Sequence, residues 1–388
     1  MRLTFPHMGM LSIPVETLLN GLGHQAVTPP PTNKRTFELG AKYSPEGACL
    51  PFKINLGNYI EALEQGAEGI LMAGGLGPCR FGYYAQIQRQ ILEELGYQFD
   101  LLLLEPLGGE RKELYRALRV LREKVPFPRA LAALRLAWAK TRWLDRGNAL
   151  FRYYLPRSKD PSKARKSYHQ YLEAIRQETK LCLLDKHYQK LGVELEGNLR
   201  PETGFLLRVK IIGEIYMVLE PRVNFHLENL LGEMGVEVVR GISLSQWVEE
   251  HLLGFFYPHH RRRTILLSTP FLPSFVGGHG RETIAEMVDA GVNRLDGVIQ
   301  VLPFTCMPEI VAQSITPAVS ATYQLPVLTL VIDEHSAEAG VITRLEAFVD
   351  LLRRKRLRPR SLCLPTRFPP PLREDLQVAG EHHPAPTG

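Results

Sequence analysis

The spacing of hydrophobic residues changes twice along the chain. Over the first 110 residues, short apolar runs typical of buried strands alternate with runs of helical spacing. Gly23, Gly66 and Gly96 each follow one of the helical runs, where glycine favours helix termination. Strands alternating with helices predict a parallel sheet. The predicted strands are 3–5, 25–28, 70–73 and 99–104, and the predicted helices are 15–22, 55–65 and 81–95.

From residue 111 to about 195 only the helical spacing remains, and alternation resumes near Val209. We therefore predict an α/β fold of two Rossmann- or flavodoxin-like parallel-sheet domains, 1–110 and 201–357, with a helical insert at 111–200 between them. The Pro- and Arg-rich tail at 358–388 is predicted to be disordered. The strands of the second domain are predicted at 209–212, 236–239, 298–302 and 327–332, and its helices at 224–234, 283–290 and 343–354.

The charge of the chain is unevenly distributed. Segment 111–196 contains 21 Lys or Arg and 9 Asp or Glu, a local net of +12, so the rest of the chain carries −6 of the total of +6. Such a segment is typical of binding to nucleic acid, phosphorylated ligands or acidic proteins, and more commonly of a solvated helical surface. Tyrosines interleave with its basic residues, but the acidic remainder and the absence of a reader motif argue against nucleic acid.

Composition excludes several classes of protein. No apolar run approaches membrane-spanning length, and the N-terminus lacks the hydrophobic region of a signal peptide. Five cysteines without regular spacing do not suggest a disulfide framework. A cytoplasmic protein is predicted, with no membrane partner.

Three of the five cysteines stand at the predicted start of a helix. Cys49, Cys79 and Cys306 each have a proline close by, and an apolar strand directly precedes Cys79 and Cys306. The positive end of a helix stabilises thiolate and lowers its pKa, so three such residues brought together form a soft anionic metal site. Functional groups of open α/β sheets gather at the carboxyl ends of strands, which predicts a site in the cleft between the domains.

The alternative is that these cysteines are buried structural residues, because free cysteine is among the most buried residue types. No CxxC pair is present, so the pattern excludes a zinc ribbon and a ferredoxin-type run. Cys182, inside a helical run, and Cys363, in the tail, are interpreted as non-ligands.

Other candidates surround these cysteines. Gly75 and Gly77 allow close backbone approach to a cofactor, and Arg80 is placed to screen its charge. Gly278 and His279 belong to a glycine-rich loop at a helix start, a phosphate or CoA contact or else a plain turn.

Two residues at strand ends are candidate catalytic groups. His335 is either a proton donor or part of a structural turn. Glu214 is either a catalytic carboxylate or the partner of an arginine.

Four segments carry a family resemblance: 42–53 (KYSPEGACLPFK), 74–84 (GGLGPCRFGYY), 302–309 (LPFTCMPE) and 333–340 (DEHSAEAG). They resemble the 2-hydroxyacyl-CoA dehydratase and benzoyl-CoA reductase superfamily, and within it the acyl-CoA dehydratase activase-related proteins, or CoA protein activases. The resemblance implies one 4Fe–4S cluster held between α/β domains, with Cys49, Cys79 and Cys306 as its ligands by position. A double-cubane cluster needs more cysteines than these three, so a single cubane is expected.

The resemblance also implies an ATP-hydrolysing iron–sulfur activator protein as electron donor, an acyl-CoA-like substrate, and a homo- or heterodimer. The predicted function is low-potential electron transfer for reductive or radical dehydration chemistry. Whether the chain is a dehydratase-like lyase or reductase, or a relay subunit without a substrate pocket, stays open at this point. The sequence is also compatible with a zinc site of three thiolates and, less well, with a basic nucleic-acid-binding protein.

Overall fold

The computed structural model describes residues 1–75, 78–104, 111–201, 206–251 and 258–357. The predictions made for Gly77, Cys363 and the tail 358–388 lie outside these residues. Within them, no helix combines the length and the apolar character needed to cross a membrane.

Two four-stranded sheets, each parallel throughout, confirm the predicted α/β fold. The first sheet has the order β2-β1-β3-β4 and the second β6-β5-β7-β8, so both follow the same order, 2-1-3-4, counted within the sheet. This is the order of a flavodoxin-like sheet. The ligand site of such a sheet lies where the strand order reverses, between the first and third strands. We call this place the reversal point. The strands are β1 (Arg2–Thr4), β2 (Gln25–Ala26), β3 (Gly69–Ala73), β4 (Asp100–Leu104), β5 (Leu207–Gly213), β6 (Val236–Arg240), β7 (Gly297–Pro303) and β8 (Val327–Ile332).

Helices cover the sheets and form the insert. Of the six helices predicted with bounds, four are confirmed with longer bounds and two, at 84–94 and 227–233, with shorter ones. The helix at 34–43 was not predicted, because most of its residues are polar and its apolar positions are few. The helices are α1 (Ser12–Gly21), α2 (Lys34–Tyr43), α3 (Leu50–Glu64), α4 (Tyr84–Glu94), α5 (Arg111–Arg122), α6 (Phe127–Tyr154), α7 (Pro161–Gln177), α8 (Leu184–Glu196), α9 (Ile215–Leu219), α10 (Leu227–Glu233), α11 (Leu244–His251), α12 (Pro258–Ser268), α13 (Gly280–Val292), α14 (Met307–Tyr323) and α15 (Glu338–Leu357).

Helix α3 lies between the two domains and is buried from Leu50 to Leu63. Leu50 and Ile54 belong to the core of the second sheet, whereas Phe52 and Leu56 belong to that of the first. A helix that is apolar on more than one face is buried on more than one face. The two sheets are therefore joined through a shared helix.

The polar residues of α3 are also buried, and α2 supplies partners for one of them. Thr36 donates to Glu61 over 2.6 Å, and Asn33 donates to the other carboxylate oxygen over 3.3 Å. The α2 and α3 backbones touch at two glycines: a Cβ at Gly57 would lie 2.2 Å from the Thr36 carbonyl oxygen, and one at Gly40 would lie 2.1 Å from that of Lys53. Only glycine permits this approach.

The insert has a core of its own, formed by α6, α7 and α8. Tyr154, Tyr168 and Tyr171 are buried in it, so these tyrosines pack the insert instead of offering faces to nucleic-acid bases. Helix α5 packs instead with β1, β3 and β4 through Ala117 and Leu121. It therefore belongs to the core of the first domain, although the predicted boundary at residue 110 assigns it to the insert.

Substitution of Gly57 by alanine is expected to destabilise the protein by about 3 kcal/mol, because the added methyl group meets backbone that cannot move without separating α2 from α3. The matched control is Gly192→Ala in the middle of α8, where the added carbon has its nearest neighbour at 3.9 Å. That change should stabilise the helix by about 0.5–1 kcal/mol. Urea denaturation of both variants measures the difference, and equal stability of the two would contradict the described contact.

Candidate functional site

Cys79 and Cys306 occupy equivalent positions in the two domains. Cys79 lies six residues after the end of β3, the third strand of the first sheet, and Cys306 lies three residues after the end of β7, the third strand of the second. Glu214 directly follows β5, the strand next to β7, so it lies at the same carboxyl edge of the second sheet as Cys306. As predicted, each cysteine precedes a helical turn: Cys49 caps α3, Cys306 caps α14, and Cys79 caps a short 3-10 turn that leads into α4.

The three cysteine loops are held together by hydrogen bonds across the domain interface. Arg80 donates through Nη1 to the Gly47 carbonyl over 2.7 Å and through Nη2 to the Thr305 carbonyl over 2.5 Å. The Thr305 hydroxyl also donates to the Gly47 carbonyl over 3.3 Å. The loops before Cys49 and Cys306 thus meet at the side chain that follows Cys79. Arg80 was predicted to screen the charge of a cofactor, and this stays a prediction. What the structure shows is that its guanidinium binds the two backbone carbonyls of Gly47 and Thr305.

The thiols of Cys49, Cys79 and Cys306 share one electrostatic neighbour, the carboxylate of Glu214. We call these four residues the thiol site. Cys49 and Cys306 are less than a tenth exposed, and Cys49 also acts electrostatically on Cys306. The three cysteines singled out in the sequence therefore lie near one carboxylate, which is half-buried.

The expectation of lowered thiol pKa values was wrong. Burial raises the pKa of all three thiols, and the Glu214 carboxylate raises them further. The Tyr84 hydroxyl, 2.5 Å from the Cys49 sulfur, and the Arg80 guanidinium oppose this rise at Cys49 without reversing it. The cost of placing a charged sulfur away from water exceeds the effect of the helix ends.

Glu214 is not paired with an arginine in the contacts described. Its side chain caps the short helix α9 by accepting a hydrogen bond from the Met217 N–H over 3.0 Å. Burial nevertheless raises the pKa of this carboxyl to about 7, since the backbone donors offset only part of the cost of desolvation. Glu214 thus combines a structural cap with a position beside three thiols.

Two further residues of the site were not predicted. Tyr84 contacts Cys49, and Glu309, one helical turn beyond Cys306, is fully buried and accepts hydrogen bonds from Thr283 over 2.7 Å and Gln300 over 3.1 Å. Burial raises the pKa of Glu309 to about 8. One sequence signal could have identified Glu309: it is a carboxylate in the first turn of a helix whose other first residues are apolar.

The glycine-rich loop before α13 packs directly on the cysteine loops. Gly277 and Gly278 have φ angles of +83° and +47°; a Cβ at Gly277 would lie 2.9 Å from the Cys79 nitrogen, and one at Gly278 would lie 3.6 Å from the Cys79 sulfur. A close backbone approach to Cys79 therefore occurs in this loop, for which a phosphate or CoA contact was predicted instead. Gly75 makes a similar approach, but to Phe81 and Gly82.

His279 lines a small cavity next to the strand that carries Glu214. The cavity has a volume of ≈ 20 Å³, about the room one water molecule needs, and it is also lined by Gly213, Glu250, Glu282 and Glu286. Three carboxylates around the start of α13 oppose the attraction that a helix N-terminus offers to phosphate.

His335 lies exposed in a hydrogen-bonded turn after β8, where its N–H donates to Asp333 over 3.0 Å. None of the contacts of the described residues connects it with the thiol site. Its neighbour Glu334 does reach across the interface and forms an ion pair with Lys53, on the first turn of α3 after Cys49. Burial acts to raise the pKa of Glu334, but the hydrogen bond and charge of Lys53 outweigh it and lower that pKa.

The donor set does not have the arrangement of a single-ion site. Within the described residues, no three His, Cys, Asp or Glu side chains are grouped so that they could hold a metal ion. Sulfurs around one tetrahedral ion, bonded at about 2.3 Å, lie only about 3.8 Å apart. A cubane binds each thiolate on a different iron, so its protein ligands are spaced more widely. In number and type, three thiols from three loops are the protein ligands that a cubane with one open iron would take.

Comparison of the chain with protein-family models and with curated proteins finds no match in either set.

Replacing Glu334 by glutamine is expected to destabilise the protein by about 3 kcal/mol at pH 7, because it leaves the buried Lys53 ammonium without its counter-charge. The pKa of Glu334 is lower in the folded than in the unfolded protein, so its contribution is present above the unfolded value, about 4.3, and is lost as the pH falls through the folded value. The difference between wild type and variant should therefore shrink below about pH 4.

Chemical denaturation from pH 7 to pH 3.5 checks this prediction. Glu346→Gln, at an exposed position of α15, is the control and should change stability by less than about 0.5 kcal/mol. A difference between wild type and Glu334→Gln that stays constant over the pH range would refute the ion pair.

Proposed function

We propose that the chain binds one 4Fe–4S cluster through Cys49, Cys79 and Cys306 and takes part in low-potential, one-electron transfer. The observation that carries this proposal is the meeting of three cysteine loops from two domains, joined by Arg80 at the reversal points of two parallel sheets. The resemblance of the cysteine segments to the 2-hydroxyacyl-CoA dehydratase and benzoyl-CoA reductase superfamily supports the same assignment.

The residues around the thiols have separate roles in this proposal. Cys49, Cys79 and Cys306 are the ligands. The Tyr84 hydroxyl lies 2.5 Å from the Cys49 sulfur and would donate to its thiolate, a contact of the kind that tunes cluster potential. Arg80 contributes the positive charge near Cys49 and Cys79. When bound, such a cluster supplies single electrons and leaves one iron open to solvent or substrate.

The wider setting follows from the resemblance. An ATP-hydrolysing iron–sulfur activator would supply the electron, and the reaction served would be reductive or radical dehydration of an acyl-CoA-like substrate in the cytoplasm. Glu214 is the candidate catalytic carboxylate because it lies beside the thiols. His335 is the weaker candidate, since it is exposed in a turn. A homo- or heterodimer belongs to the same proposal.

Protein purified without oxygen is expected to contain about four iron and four acid-labile sulfide per chain. Cys49→Ala, Cys79→Ala and Cys306→Ala should each lose most of both, because each removes one of three ligands. Cys182→Ala, at an exposed position outside the site, is the matched control and should retain them. Normal folding of all four variants without iron, or with zinc alone, would refute the cluster.

A second candidate is an electron relay that turns over no substrate itself. One observation favours it: the cavity lined by Gly213 and His279 has a volume of ≈ 20 Å³, which holds about one water molecule and no acyl group.

Calorimetric titration of the oxygen-free protein with an acyl-CoA and with coenzyme A separates the two candidates. The relay predicts no saturable binding of either ligand, with electron uptake intact. Saturable acyl-CoA binding that Glu214→Gln weakens would favour the enzyme and contradict the relay.

A further inference from the structure

Thr305, directly before Cys306, has an unusual backbone conformation. Its φ angle is +66°, in the left-handed region that β-branched residues rarely adopt. Such a residue is strained, and it keeps its conformation only where its surroundings impose it. Because Thr305 and Cys306 are adjacent, the backbone of Thr305 fixes where the Cys306 side chain begins.

The turn that contains Thr305 is closed within its own domain, since the Cys306 N–H donates to the Pro303 carbonyl over 3.2 Å. Two further contacts hold this turn from the other domain. The Thr305 carbonyl accepts the Nη2 hydrogen bond of Arg80, and the Thr305 hydroxyl donates to the Gly47 carbonyl. The second arm of the same guanidinium holds that Gly47 carbonyl. One planar side chain therefore fixes two loops relative to each other and to its own loop, which carries Cys79.

We propose that Arg80 is the positioning residue of the thiol site: its two-armed hydrogen bonding holds the turn at Thr305 against the Gly47 loop and thereby sets the place of Cys306 relative to Cys49 and Cys79. Lysine cannot replace it, because an ammonium group is a point charge without the rigid fork that reaches two carbonyls at once. The consequence for iron rests on the proposed function, whereas the consequence for the two loops does not.

The test compares Arg80→Lys and Arg80→Gln with wild type. Amide hydrogen exchange of the metal-free proteins, followed over residues 44–49 and 303–307, should be faster in both variants, because each loop loses a charge-assisted hydrogen bond. Arg89→Lys is the matched control: this arginine is exposed and bonds only along its own helix to Glu93, at 2.9 Å, in the contacts described. It should leave both loops unchanged.

In the iron-loaded proteins, release of iron to a chelator should be about tenfold faster in Arg80→Lys, as expected from loss of one charge-assisted hydrogen bond. Equal behaviour of Arg80→Lys and Arg80→Gln supports the two-armed contact. Full rescue by lysine would show that charge alone matters and would overturn the proposal.

A double-mutant cycle with Thr305→Gly separates positioning from general stability. Glycine adopts a positive φ without strain, so Thr305→Gly should reduce the effect of Arg80→Lys on the exchange of residues 303–307. Additive effects, or unchanged exchange in both loops of the single variants, would overturn the inference. If the wild-type protein binds no iron, the proposed function fails, and the exchange measurements still decide the role of Arg80.

Discussion

The burial of α3 is the constraint on which the rest of the structure depends. All its residues from Leu50 to Leu63 are removed from solvent because the helix packs against the cores of both sheets. Neither domain can complete its core without it, so the domain interface is also part of each hydrophobic core. Its buried polar residues then require specific partners, which Thr36 and Asn33 provide for Glu61 and Glu334 provides for Lys53.

A shared helix also explains why a site forms between two separately folded sheets. Cys49 caps the start of α3, so the position of its thiol is fixed relative to both sheets. Because the sheets have the same strand order, the loops after β3 and β7 are equivalent, and these loops carry Cys79 and Cys306. Two repeats of one topology, joined through a common helix, bring the carboxyl ends of their strands to the same place, where open α/β sheets bind their ligands.

The sequence was informative where its signals are local. Strands such as β3 and β7 were predicted because short apolar runs precede glycine or proline, and the three cysteines because each stands beside a proline at a helix start. The pairing of Lys53 with Glu334 and of Arg80 with Thr305 joins residues 281 and 225 positions apart, which no local pattern reveals. The thiol pKa values were misjudged for the same reason: a helix end is visible in the sequence, whereas depth of burial depends on the other domain.

The distribution of charge around the thiols follows from that burial. The site gathers five acidic groups: three thiols and the carboxyl groups of Glu214 and Glu309. Burial raises the pKa of each, so each is shifted toward its neutral form unless positive charge is added nearby. A purely structural core would gain stability by replacing such groups with apolar side chains of similar size. Their presence at the meeting point of three loops, beside Thr305 with its positive φ, supports the proposal that a positively charged group binds there.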